Sequence, residues 1–292
     1  MKFLCVLCVL CGSSFFAAGL EREAFTITKY DLEVRLDPDQ QRLGARGKVT
    51  LRNDSSQPQK IATLQISSSL NWRSIQVDGK PVPYVSQPYT SDIDHTGALS
   101  EAIITLPAEI KPKDSVELEI GYEGVIPLDT TRLTRVGVPP DIARHSSWDQ
   151  IHPSFTAVRG AGYVAFYPIT TESADFSEGN SLFEVVDRWK AREAASEFKL
   201  VLTLQDSSSR RTPTLLCGAD AGGSSVGAGA DAGKERRLQV ECSWNPLATV
   251  TPAFAMAEYV DESKGPLKLF SLPGHEAGAA HIPMLSIRQR SL

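Results

Sequence analysis

The run Pro273-Gly274-His275-Glu276-Ala277-Gly278-Ala279-Ala280-His281 sets a histidine and a carboxylate close to a second histidine, and these are donor types that hold a zinc ion. In the metal-binding pattern H-E-x-x-H the two imidazoles stand four residues apart on a helix and point the same way to within about 40°. Here they stand six apart, which on a helix turns them about 120° away from each other, and Ala279 occupies the second ligand position. His275 and His281 therefore read as polar positions at the start of a short helix, which Pro283 then interrupts.

The remaining histidines are His95, His145 and His152, and none shares a tight ligand spacing with another His, Cys or carboxylate. His145, Trp148, Asp149 and His152 do fall in one irregular, aromatic-rich stretch, with Glu172 further along. Loops carry function disproportionately, so a loop-built site is the candidate there, against the plainer reading of solvated or core-satisfied imidazoles. Other chemistries lack their motifs. There is no G-x-S-x-G elbow, no phosphate-cradling G-x-x-x-x-G-K-[ST] and no G-x-G-x-x-G, and Gly160-Ala161-Gly162 is only a fragment of such a loop.

The elements that must position these residues come next. Met1-Lys2, an apolar run from Phe3 to Leu10 and the small residues Ala17-Ala18-Gly19 follow the order of a secretory leader, so residues 1–19 are set apart from the fold. The apolar run is well short of the roughly 20 residues a spanning helix needs. No membrane span is expected after cleavage, and an exported protein, periplasmic or extracellular, is. Cys5, Cys8 and Cys11 lie in the leader, which leaves Cys217 and Cys242 as an even pair, more often a disulfide than a metal or nucleophile site in an exported chain. The lesser alternative is two buried thiols. The whole chain carries a net charge of −5 without a basic cluster, which argues against a nucleic-acid partner.

From Phe25 onward the hydrophobic period is two. Tyr30, Leu32, Val34 and Leu36 alternate with charges, Pro38-Asp39 turns the chain, and Ala45 to Arg52 alternates again, as in a hairpin of long strands. Val77-Asp78-Gly79-Lys80 is a two-residue hairpin signal, and strand patterns continue at 61–66, 74–77, 102–106 and 116–122. Beyond Val125 the stretch from Pro127 to Pro168 reads as long ordered loops, after which Phe183 to Val186, Phe198 to Leu204, Leu238 to Cys242, Phe254 to Tyr259 and Leu267 to Phe270 read as strands. Residues 218–233, rich in Gly, Ala and Ser, read as a loop between two of them. The expectation is an all-β fold, an antiparallel saddle or sandwich of long strands with a short C-terminal helical linker.

Ile27 to Pro38 followed by Gly44 to Asn53, then Val77-Asp78-Gly79-Lys80, then Leu106-Pro107 through Val116 to Gly124, resembles in order and spacing the opening of the N-terminal β domain of aminopeptidase N-like zinc metallopeptidases. The likeness is strong from Phe25 to about Gly124 and looser to Phe270. It implies a β domain over residues 20–272, with 273–292 resembling the linker toward a helical catalytic domain, and zinc held in the full-length family rather than in this chain. In that family a loop of this domain supplies a Gln or Glu for the substrate amine. The comparable stretch here, Ser154 to Gly162, has neither, and the family's G-A-M-E-N-type strand and H-E-x-x-H helix have no counterpart. The resemblance therefore implies a non-catalytic domain with a peptide or a catalytic-domain surface as partner. The alternative is a free-standing extracytoplasmic sandwich that binds peptide or glycan through the aromatic loops near Trp148 to Tyr167.

Overall fold

A computed structural model describes residues 20–145, 149–178, 180–206, 213–217, 236–261 and 269–274. The leader, Trp148, the low-complexity loop 218–233 and the segment from His275, with its expected helix, lie outside the described residues.

The first half of the chain is built from strands β1 (Phe25–Asp37), β2 (Arg42–Asn53), β3 (Gln59–Ser67), β4 (Leu70–Val77), β5 (Lys80–Pro81), β6 (Tyr84–Thr90), β7 (Ala98–Ile110) and β8 (Ser115–Val125). Helices α1 (Thr131–Arg135) and α2 (Pro140–Ala143), strand β9 (Phe155–Val158) and helix α3 (Ser181–Glu193) follow. Then come β10 (Glu197–Asp206), β11 (Thr214–Cys217), β12 (Arg236–Trp244), β13 (Phe254–Ala257), β14 (Val260–Asp261) and β15 (Phe270–Ser271).

A seven-stranded sheet runs in the order β12-β10-β1-β2-β8-β4-β5, beside three-stranded sheets β3-β7-β6 and β11-β13-β9 and the pair β14-β15. The alternation read from β1 holds: Tyr30, Leu32, Val34 and Leu36 are buried while Asp31, Glu33 and Arg35 are exposed. Its outer face carries cross-strand ion pairs such as Arg46–Glu33 and Lys48–Glu117. Its inner face faces sheet β3-β7-β6, with the Trp72 indole N–H of β4 donating to the Ser100 carbonyl of β7 at 3.0 Å. Both expected hairpins form, β1 with β2 and β4 with β5. The second turns through Asp78 (φ 51°) and Gly79 (φ 69°), the positive pair that a type I′ turn requires.

The stretch from Pro127 to Pro168, expected as loops, holds the short elements α1, α2 and β9, and two further features depart from the sequence reading. Pairing is antiparallel except between β1 and β10, which run parallel with Tyr30 opposite Phe198. And Phe183 to Val186, expected as a strand, lies in α3. A four-residue window cannot separate the two periods, but over thirteen residues Leu182, Val185, Trp189 and Glu193 fall on one buried helical face. Glu184 in the first turn and Lys190 and Arg192 in the last also suit the helix dipole.

Glu193, fully buried, accepts from the Tyr30 hydroxyl at 2.8 Å. Burial pushes its carboxyl up to about 8, against the opposing hydrogen bond from Tyr30 and the charge of Arg192. The stability gained by keeping it protonated is full below its ordinary value of 4.5 and is lost as pH rises through about 8. Glu193→Gln should therefore gain on the wild type by a few kcal/mol between about pH 5 and pH 8, read by urea denaturation at each pH; parallel profiles would refute the assignment.

Cys217 at the end of β11 is bonded to Cys242 of β12, joining the small sheet β11-β13-β9 to the edge of the wide one. The bond spans 25 positions of sequence. Replacing both cysteines by alanine should lower unfolding free energy by about 3 kcal/mol, the chain-entropy value for a loop of this order, and reductant should cost the wild type the same in denaturant titrations.

Candidate functional site

Between Ile126 and Asp175 the described residues are mostly irregular backbone around the short elements α1, α2 and β9, and buried carboxylates hold it against the sheets. Asp94, fully buried, accepts from the Ala165 amide at 3.0 Å and from the Thr96 amide and hydroxyl at 3.1 and 2.8 Å. Asp92 accepts from the Phe176 amide at 2.6 Å and pairs with Arg135 of α1. Asp149, also fully buried, accepts from the Arg159 amide at 2.9 Å and its Nε at 2.5 Å. Burial raises the Asp149 carboxyl above its ordinary value although these hydrogen bonds oppose the rise. The Arg159 guanidinium lies 3.8 Å from the centre of the Tyr163 ring.

The candidate loop residues are placed as follows. His145 is exposed just after α2, and its amide donates to the Ile142 carbonyl at 3.1 Å. His152 is exposed and its Nδ1 meets the Ser154 hydroxyl at 2.9 Å. Asp149 is turned inward onto Arg159. So Asp149 is brought together with Arg159 and Tyr163, and His152 with Ser154. Trp148 lies outside the described residues.

The histidine that the structure draws into a charged cluster is His95, whose side chain is fully buried. Its Nδ1 lies 3.0 Å from the Tyr163 carbonyl and 3.3 Å from Asp94 Oδ1. Its Nε2 points to Asp129 Oδ2 at 3.7 Å, beyond hydrogen-bonding reach. Burial lowers the imidazole pKa, but the hydrogen bond to Asp94 and the charges of Asp94 and Asp129 outweigh it, and the net direction is upward. The signal in the sequence was the run Asp92-Ile93-Asp94-His95 with Gly97 after it, a turn rich in side-chain acceptors.

Beside this cluster lies an open cleft of about 490 Å³, between α1, the Gly160–Tyr163 turn and the outer face of α3. The turn demands glycine at 160, where φ is 80° and a Cβ would stand 2.5 Å from the Pro252 carbonyl oxygen. Arg132, Arg159 and Lys190 line the cleft together with the apolar side chains of Leu133, Val136, Phe176 and Phe183. None of the residues that line the cleft pairs a nucleophile with a base. Among the described residues no group of three or more His, Cys, Asp and Glu could hold a metal ion.

No protein-family model matches the chain, and no curated protein matches it. Solved structures do. An M1 zinc metallopeptidase from Deinococcus radiodurans superposes with a TM-score of 0.50 at 13% identity, over 85% of this chain and 46% of that one. A mutant of the same enzyme gives 0.51 at 12% identity over the same shares, and a two-domain M1 zinc metallopeptidase mutant bound to L-arginine gives 0.51 at 13% identity over 87% of this chain and 51% of that one. The chain thus shares the fold of part of these enzymes and spans about half their length.

The His95 cluster has a testable consequence. Its contribution to stability is full below the ordinary histidine value and is lost as pH rises through the higher folded value. His95→Gln should therefore destabilise the chain more at about pH 5.5 than at about pH 9, measured by guanidinium titration. An equal loss at both would mean that the imidazolium adds nothing.

Proposed function

We propose that this chain is the non-catalytic N-terminal β domain of a secreted aminopeptidase-like metallopeptidase, supporting or shielding the peptidase active site in a full-length relative. The observation that carries this reading is the superposition of 85% of the chain onto less than half of an M1 zinc metallopeptidase. The order of strand motifs from Ile27 to Gly124 supports it independently. The domain reading covers residues 20–272, with 273–292 as a linker. The partner in this reading is the surface of a helical catalytic domain, and the zinc is that domain's.

Export to the periplasm or the outside belongs to the same proposal. The Cys217–Cys242 bond suits an oxidising compartment, and among the described residues no helix is long and apolar enough to cross a membrane. A free-standing module that binds peptide or glycan draws support from one observation, the solvent-open cleft beside Tyr163.

The chain should contain far less than one zinc per molecule by elemental analysis after dialysis and should not hydrolyse aminoacyl-anilide substrates above buffer. Stoichiometric zinc with turnover would refute the proposal.

A further inference from the structure

We propose that the cleft between α1, the Gly160–Tyr163 turn and α3 binds the free C-terminal carboxylate of a peptide whose last side chains are aromatic or aliphatic. The inference does not depend on the metallopeptidase reading.

Charge is the first argument. The chain is net acidic at −5, yet the cleft is lined by Arg132, Arg159 and Lys190 and by no carboxylate. Arg159 is compensated from behind by Asp149. Arg132 is half-buried, donates to the Gly162 carbonyl and sits 5.5 Å from the Phe176 ring centre, and neither it nor Lys190 forms an ion pair with a described residue. Burial holds the Arg132 guanidinium below its ordinary pKa although the charges of Asp92 and Asp94 oppose the fall. A carboxylate seated in the cleft would meet a guanidinium fork and an ammonium through charge-assisted hydrogen bonds.

Shape is the second. Helix α3 has two faces: Leu182, Val185, Trp189 and Glu193 are buried, whereas Phe183, Val186 and Lys190, spaced three and four apart, line the cleft. Phe183 is 66% exposed, Val136 49% and Phe176 41%, so three large apolar side chains that the core does not use gather around one opening. Such concentration marks a binding surface more often than chance exposure does. The volume of about 490 Å³ falls in the range of ligand pockets. Because the rim is open, it could not shelter a long acyl chain on all sides, whereas the last side chains of a peptide could lie along it with the terminal carboxylate at Arg132 and Lys190.

The test is fluorescence anisotropy on the full chain with an N-terminally labelled peptide ending in Ala-Leu-Phe, as the free acid and as the C-terminal amide, and with laurate as competitor. The acid should bind at least about tenfold more tightly than the amide, the difference expected when a charged acceptor is lost. Lys190→Gln, on the helix surface and outside the core, should bring the acid down to the level of the amide and leave the amide unchanged. Phe183→Ser should weaken both. Arg132→Gln should act like Lys190→Gln if its melting curve is unaltered. Equal binding of acid and amide, no binding up to about millimolar peptide, or an acid affinity indifferent to Lys190→Gln would overturn the proposal. Displacement by laurate at lower concentration than by the unlabelled peptide would overturn it in favour of a lipid acid.

Discussion

The parallel pairing of β1 with β10 is the constraint on which the rest of the structure depends. It places Lys29 beside Glu197 and Leu36 beside Leu204, closing an excursion that contains β2 to β9 and all three helices. A parallel neighbour cannot be reached by a tight turn, so the intervening chain must cross over and pack somewhere. Tyr30 stands at that junction. Its ring lies 4.6 Å from Phe198 and 6.0 Å from Tyr167, and its hydroxyl meets both Glu193 of α3 and the Pro168 carbonyl. Sheet, crossing loop and helix thus converge on one side chain, which explains why a phenol rather than an aliphatic residue fills this core position: its apolar ring packs and its polar end satisfies buried acceptors.

The crossing loop poses a second problem. Irregular backbone brought against a core carries amides that neither a helix nor a sheet satisfies. Buried carboxylates take them: Asp92 for Phe176, Asp94 for Ala165 and Asp149 for Arg159. Each buried charge then needs compensation, and the cations drawn in, Arg135 on Asp92 and Arg159 on Asp149, tie α1 and the strand after it to the body. The basic lining of the cleft follows in part from this, since Arg159 faces the opening while its Nε is held from within. Arg132 donates to the Gly162 carbonyl and feels the charges of Asp92 and Asp94 without pairing with either, and Lys190 forms no ion pair with a described residue.

Much of the sheet architecture could be read directly. Strands with one wet face announce themselves by period-two alternation, and β1, β2, β7 and β8 are of this kind; the Asp78-Gly79 turn needs positive φ at both positions and advertises it by residue type. The candidate site was far less legible. Asp149 falls in the candidate loop stretch, but its role depends on Arg159 ten positions away turning back onto it, and although Asp94 adjoins His95 in the chain, the second carboxylate, Asp129, comes from 34 positions on. Neither distance has a periodicity to betray it.

By itself, then, the sequence determined the β class and the hairpins, because each depends on neighbours in the chain or on a repeat of two. Tertiary structure alone decided that β10 would lie parallel to β1, that Phe183 to Val186 would be helical over a thirteen-residue span, and that three cations would face one apolar opening. These are outcomes of packing between distant segments, where burial and charge compensation outweigh the local preferences that a short window of residues can express.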